Sequence, residues 1–202
     1  MASRTAQANP PTKERLLDSA QRLMLAKGFS ATTVDDICEA AKLTKGSFFH
    51  YFESKDQLGK ELLGRFCASS QRTHQASCGQ ESDPLKRVYR YVDCVIGLAK
   101  DPAFSQGCLL GTFAQELSDT HPEIRSMCAK AFTQWAQRMK EDLDQAKTAY
   151  APRAAFDTGS LAEHFISILE GSIILGKAKQ SPQVVERSLQ HFKGYLKSLF
   201  QR

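Results

Sequence analysis

Apolar residues recur at helical spacing along most of the chain, and no run alternates with period two over strand length, so the pattern predicts an all-α protein. Eleven polar residues ending in Pro10 and Pro11 read as a flexible arm. Leu16, Leu17, Ala20, Leu23 and Met24 then form a first apolar stripe, and Gly28 stands where a glycine just past a helix belongs. Thr33, followed by Asp35 and Asp36, predicts the N-cap and acidic first turn of a second, short helix with Ile37, Ala40 and Ala41 on one face. Lys42 and Leu43 make a turn. Thr44 caps a third short helix, in which Phe48 and Phe52, four apart, face inward. Ser54 is placed to cap a fourth helix, whose face Leu58, Leu62, Leu63, Phe66 runs on towards about Cys78.

Longer helical stretches follow, separated by punctuation. Asp83 and Pro84 open one and Asp101 and Pro102 close it. Thr120, His121 and Pro122 separate the next two, Pro152 and Gly159 bracket a loop, and Ser181 and Pro182 start the last helix. The penultimate helix is apolar on nearly every side, through Leu161, Ala162, Phe165, Ile166, Ile168, Leu169, Ile173, Ile174 and Leu175, which predicts burial all round. The last repeats Val185, Leu189, Phe192, Leu196 and Leu199 at spacings of four, three, four and three. Such a seam packs against another helix pair. Two readings follow: an intrachain core, or a four-helix dimer interface built from Leu161, Phe165, Ile168, Leu169, Val185, Leu189, Phe192 and Leu196.

Composition narrows the class. The 202 residues carry 27 Lys and Arg against 22 Asp and Glu, a formal charge of +5, with 42% hydrophobic and 24% charged residues. These values exclude disorder as a description of the whole chain, and the charge alone does not identify a nucleic-acid binder. No stretch approaches the roughly 18 to 20 apolar residues of a membrane span, so no membrane partner is expected. The polar N-terminus lacks the apolar core of a secretory signal, and a cytoplasmic address is expected. Six cysteines (Cys38, Cys67, Cys78, Cys94, Cys108, Cys128) show no C-x-x-C pair and no Cys/His spacing of the zinc type. They read as reduced thiols, mostly small buried hydrophobes.

The most specific signal lies between Thr33 and Lys55, where two short helices joined by a tight turn have the proportions of a helix-turn-helix. The chain resembles the TetR family of bacterial transcriptional regulators over about residues 12–72. The matching residues are Ala26-Lys27-Gly28-Phe29, the block from Thr33 to Ala41, Leu43-Thr44-Lys45-Gly46-Ser47-Phe48-Phe49-His50-Tyr51-Phe52, and Ser54-Lys55. The chemistry of these positions agrees independently. Small residues at the start of a helix let its backbone approach the major groove: Lys45 can reach a guanine edge or a phosphate, Gly46 removes bulk, and Ser47 can donate or accept. His50 and Tyr51 follow on the exposed side. Thr33 and Lys55 are expected to clamp the sugar-phosphate backbone, and Thr44, the cap of the third helix, is counted among the DNA-binding residues. The resemblance further implies that Tyr51 contacts a phosphate and Phe49 a thymine methyl. Within residues 1–72, eleven Lys and Arg face eight acids. Binding is therefore expected to rest on a few well-placed cations and on dimeric avidity.

The expected organisation is an arm over 1–11, a helix-turn-helix domain over 12–54, a connecting helix over 55–80, and a ligand-binding and dimerisation bundle over 81–202, about nine helices in all. The resemblance implies a homodimeric repressor on a palindromic double-stranded DNA operator, released by a small-molecule or electrophilic effector. Candidate pocket residues are Phe104, Phe113, Phe132, Trp135, Phe165, Gln115, His164 and Glu170, with core packing the competing reading for each aromatic. Cys108, in Gly107-Cys108-Leu109-Leu110-Gly111, lies near a helix start, where free amides lower a thiol pKa. That segment, with Ala114-Gln115-Glu116-Leu117-Ser118-Asp119, looks like the branch of the family that responds to electrophiles and oxidants, and by that comparison Lys177 is a cationic partner for the sulfur. An activator, a ligand-free DNA-binding protein and a helical protein-binding adaptor remain as alternatives. No catalytic motif, metal set or cofactor is expected: Glu-x-x-His, G-x-S-x-G, H-E-x-x-H and a phosphate loop are all missing.

Overall fold

The computed structural model describes residues 11–101 and 106–200, and these residues form nine α-helices and no strand. They are α1 (Thr12–Lys27), α2 (Val34–Ala41), α3 (Lys45–Tyr51), α4 (Lys55–Cys78), α5 (Pro84–Leu98), α6 (Leu109–Leu117), α7 (Pro122–Tyr150), α8 (Thr158–Ala178) and α9 (Gln183–Phe200). The chain divides into two compact units between Leu62 and Leu63, within α4. The fourth helix, expected as a connector, thus gives its first turns to the N-terminal unit. The proposed arm and Phe104 lie outside the described residues, apart from Pro11 at the N-cap of α1.

In the N-terminal unit, α1 packs on α2 and α3, and α2 on α3. Leu16, Ala20, Met24, Ile37, Phe48, Phe52, Leu58 and Leu62 are fully enclosed. Phe48 and Phe52 point inward as their spacing predicts, with ring centroids 5.5 Å apart. Helix ends are closed by the polar residues expected there. Thr33 and Asp36 form a reciprocal capping box on α2, the Thr33 hydroxyl accepting from Asp36 N at 3.1 Å and Asp36 Oδ2 accepting from Thr33 N at 2.8 Å. Arg15 reaches from α1 to donate to the Ala41 carbonyl at the other end of α2, at 2.5 Å. Thr44 accepts from Ser47 N and Ser54 from Gln57 N, so both serve as caps.

In the C-terminal unit, α7 is the central strut, in contact with α5, α6 and α8, and α8 also lies along α9. An aromatic cluster fills its middle. Phe165 is fully buried, with ring centroids 5.7 Å from Tyr91, 5.4 Å from Phe192 and 6.5 Å from Trp135. Trp135 Nε1 donates to the Tyr91 hydroxyl at 2.7 Å, which satisfies the polar handles of both rings inside the core. The loop after α7 covers residues 151–157. Asp157 caps α8 through Ser160 N, so Gly159 lies in the first turn of α8 and does not close the loop. Ser181 Oγ donates to Gln183 Oε1 at the start of α9.

Two sequence expectations for this unit are corrected. Helix α8 is not buried all round: Ile174 and Leu175 are half exposed, and Glu163 and His164 are exposed. The seam, read from sequence as either intrachain core or dimer interface, is intrachain core, since Leu161, Phe165, Leu169, Val185, Leu189, Phe192 and Leu196 are at most 5% exposed in the single chain and only Ile168 is partly accessible. Periodicity reports that a face is covered, but not which helix covers it. Here α8 and α9 cover each other.

Candidate DNA-reading face and effector cleft

The outward side of α3 carries groups that the fold itself does not use. Phe49 is 55% exposed and Tyr51 37% exposed, against complete burial of Phe48 beside them. The His50 and Tyr51 rings meet edge to face at 4.7 Å. A Cβ built on Gly46 would meet only the Thr44 hydroxyl, at 3.6 Å, which is ordinary contact. Nothing inside the protein therefore requires glycine there, although glycine costs a helix about 1 kcal/mol relative to alanine. A surface that must come close to another molecule supplies a reason.

Lys45 stands at the first turn of α3 with its ammonium 2.8 Å from Asp35 Oδ1, both side chains well exposed. The hydrogen bond to Asp35 raises the lysine pKa, so the side chain keeps its charge. An exposed pair of this kind is weak and exchangeable, and a phosphate or guanine edge can take the place of Asp35. The clamp residues differ from their simple expectation. The hydroxyl and N–H of Thr33 are both engaged by Asp36, whose carboxyl is held well below the usual carboxylate range by Lys27 (2.8 Å) and by Thr33. Lys55 donates to the carbonyls of Phe29 (2.9 Å) and Thr32 (2.8 Å) and lies over the Phe29 ring at 4.4 Å. With two donors on carbonyls, Lys55 ties the turn after α1 to the start of α4, and one donor remains for an outside partner.

In the C-terminal unit, a cleft of about 470 Å³ lies among α6, α8 and the segment before α6, with Cys108, Gln115, Glu170 and Lys177 in its wall together with Ile173 and Ile174. Four residues chosen from sequence thus come together. The others do not: Phe113, Trp135 and Phe165 belong to the core, Phe132 lines a second cleft of about 410 Å³ between α7 and α8, and His164 sits on the outer face of α8 against Tyr195 and Phe192. Gly107 has φ 129°, in the region only glycine enters readily, and this turn delivers Cys108 to the N-cap of α6.

The thiol pKa departs from expectation in sign. Burial pushes the Cys108 thiol well up, the neighbouring Glu170 carboxylate pushes it further, and the amides of Gly111 and Leu110 pull less strongly the other way. A dry site beside an acid outweighs the helix start. Glu170 is itself raised by burial, partly offset by its hydrogen bond with Cys108, and its Oε1 is buried without a partner. Gly111 makes room for this carboxyl, because a Cβ there would lie 2.1 Å from Glu170 Oε2. The sequence singles out Cys108 and Glu170 but not their contact, because the two lie on different elements, at the start of α6 and on α8.

Comparison with known proteins agrees with both halves. A family model for tetracyclin repressor-like C-terminal domains matches residues 84–192, and one for bacterial regulatory proteins of the tetR family matches residues 16–62. The chain is 28% identical over 183 residues to the HTH-type transcriptional repressor DhaR of Mycobacterium sp. (strain GP1), covering 90% of each chain. It is 24% identical over 186 residues to the HTH-type transcriptional repressor NemR of Escherichia coli (strain K12), covering 92% of this chain and 94% of that one. The crystal structure of a regulatory protein TetR from Rhodobacter sphaeroides superposes with a TM-score of 0.80 at 26% identity, over 90% of this chain and 96% of the other. Among the described residues no helix is long and apolar enough to cross a membrane. This chain belongs to the TetR family of bacterial regulatory proteins and is a helix-turn-helix, DNA-binding transcriptional regulator.

Proposed function

We propose that this regulator is a homodimeric repressor that holds a palindromic operator through α3 and releases it when an effector occupies the Cys108 cleft. The observation that carries the DNA-reading role is the outward face of α3, where Phe49 and Tyr51 are exposed, Lys45 holds only an exchangeable partner and Gly46 opens onto free space. Thr44, Ser47 and His50 border this face, with Thr33 and Lys55 at the phosphate flanks. Repression is the reading favoured by the names of two relatives, DhaR and NemR, each described as a transcriptional repressor.

Dimerisation falls to a different face of α8 and α9 from the one the sequence suggested. His164, Ile168, Gly171 and Leu175 follow one another at spacings of four, three and four on the accessible side of α8, beside Tyr195 of α9, which is 46% exposed. A Cβ at Gly171 or Gly194 would meet nothing within 4 Å, so a second helix pair can approach closely there. In the cleft, Cys108 is the group an electrophile modifies, and Lys177 lines the same wall. Only an effector with different affinity for the DNA-bound and released forms shifts the equilibrium between them.

The test is protection of the DNA upstream of the regulator's own gene. An inverted repeat should be protected, and Lys45→Ala should abolish protection while the protein stays folded. No protected repeat there would overturn the reading that the regulator represses its own promoter. Transcription from the protected promoter in a purified system should fall on adding the protein, whereas a rise identifies an activator. A thiol-reactive panel should release wild type and leave Cys108→Ser bound. If that variant releases equally, the cleft acts without covalent chemistry at Cys108.

A further inference from the structure

Away from the cleft, the last turn of α4 carries His74 and Cys78 four residues apart, hence on one face, and Asp142 of α7 faces them. His74 Nε2 is 3.6 Å from Asp142 Oδ2 and 3.9 Å from Cys78 Sγ, and the three ligand atoms all lie within 4.8 Å of one another. Both neighbours address the same ring nitrogen, so this is no relay through the imidazole. At 3.6 Å the carboxylate contact is too long for a hydrogen bond. We propose that His74, Cys78 and Asp142 form a binding site for a divalent metal ion of the zinc class.

The dimensions fit. Zinc bonds of about 2.3 Å to sulfur and about 2.0 Å to nitrogen and oxygen, arranged tetrahedrally, set donor-to-donor edges of roughly 3.3–3.6 Å. The two shorter edges here exceed that by a few tenths of an ångström, and the third, from sulfur to carboxylate and no more than 4.8 Å, closes by up to about 1.2 Å on binding through side-chain rotation. The donors are already oriented. Arg87 Nε donates to Asp142 Oδ1 at 2.6 Å, which leaves Oδ2 facing the site. Three of the four remaining guanidinium hydrogens go to the carbonyls of Glu81 and Ser82 and to Gln145 Oε1. The His74 ring is held edge-on to Tyr91 at 4.8 Å, and Tyr91 is pinned by Trp135. Partners that fix the orientation of the ring and the carboxylate in this way lower the cost of gathering them around a metal.

The donor set selects the ion. One thiolate, one imidazole and one carboxylate suit zinc and its neighbours over magnesium or calcium, which take oxygen ligands. Thiolate and carboxylate supply two negative charges against the dication, and Arg87 sits on the far carboxylate oxygen. His74 and Asp142 side chains are 14% and 11% exposed, and Cys78 is 4% exposed, so the site is sheltered yet close to the surface. Among the described residues no fourth His, Cys, Asp or Glu joins the group, so water fills the fourth position. On binding, the Cys78 S–H bond breaks, the sulfur–metal bond forms and the proton passes to solvent, with no electron transferred. The ion then fastens the last turn of α4 to α7.

The test uses the full-length protein, reduced and stripped of metal, titrated with Co²⁺ and then Zn²⁺. One Co²⁺ per chain should bind, giving a thiolate-to-cobalt charge-transfer band and d–d bands of tetrahedral intensity that one equivalent of Zn²⁺ removes. Cys78→Ser should lose the charge-transfer band, and Cys108→Ser should keep it. His74→Gln, with its helical content checked, should weaken binding by roughly tenfold or more. Absence of the band, its survival in Cys78→Ser, unchanged affinity in His74→Gln, or one ion per two chains would overturn the site.

Discussion

Residues 11–62 and 63–200 solve the same problem, closing a helical bundle, with different materials. The N-terminal unit is small and relies on polar groups turned onto helix ends: the Thr33–Asp36 box, Arg15 on the Ala41 carbonyl, Lys55 on the carbonyls of Phe29 and Thr32. Its α3 leaves Phe49 and Tyr51 exposed. The C-terminal unit relies on an enclosed aromatic cluster around Phe165 and places two titratable groups, Cys108 and Glu170, where burial drives both upward. One unit presents a fixed surface. The other holds groups whose state depends on what reaches them.

The comparison breaks most readily at Phe165. Replacing Phe165 with Ala should cost about 3–5 kcal/mol of stability, the usual range for an enclosed phenylalanine, measured by chemical denaturation. A loss under about 1 kcal/mol would show that the cluster is not what holds the C-terminal unit. Lys45→Ala should do the reverse, lowering operator affinity by roughly tenfold or more with an unchanged melting temperature. A shifted melting temperature would mean that the Asp35 pair is structural.

Smaller effects sharpen the contrast. Thr33→Ala removes half of the capping box and should cost about 0.5–2 kcal/mol, read as a fall in thermal stability of the N-terminal unit. Glu170 provides the pH test. Its folded pKa is raised above the ordinary 4.5, so its contribution is fully present below 4.5 and is lost as pH rises through the raised value. Stability measured against pH should therefore fall across that window in wild type relative to Glu170→Gln. A constant difference between the two would show that the carboxyl is solvated. The same substitution removes the acid beside Cys108, and alkylation of that thiol should become faster.

The N-terminal unit was almost wholly legible because its determinants are local. Caps, turns and inward phenylalanines lie within a few residues of what they act on, so Thr33, Thr44, Phe48 and Ser54 took the roles in the fold that their spacing predicts. Even there, the structural role of Lys55 in tying the turn after α1 to the start of α4 was not legible, because its carbonyl partners lie 23 and 26 residues away. The C-terminal unit was legible in its helices, and Cys108, Gln115, Glu170 and Lys177, each singled out from sequence, line one cleft. The sign of the Cys108 shift was not, since it depends on Glu170, sixty-two positions along the chain. The His74, Cys78 and Asp142 cluster escaped the search for zinc spacings because its third member is remote.

By itself the sequence determined the all-α class, the helix ends of the N-terminal unit and the membership of the family, because each is written in short-range pattern. Tertiary structure decided which apolar face of α8 and α9 is core and which is free, and what surrounds each ionisable group. An apolar period states that a face must be covered. Only packing states by what.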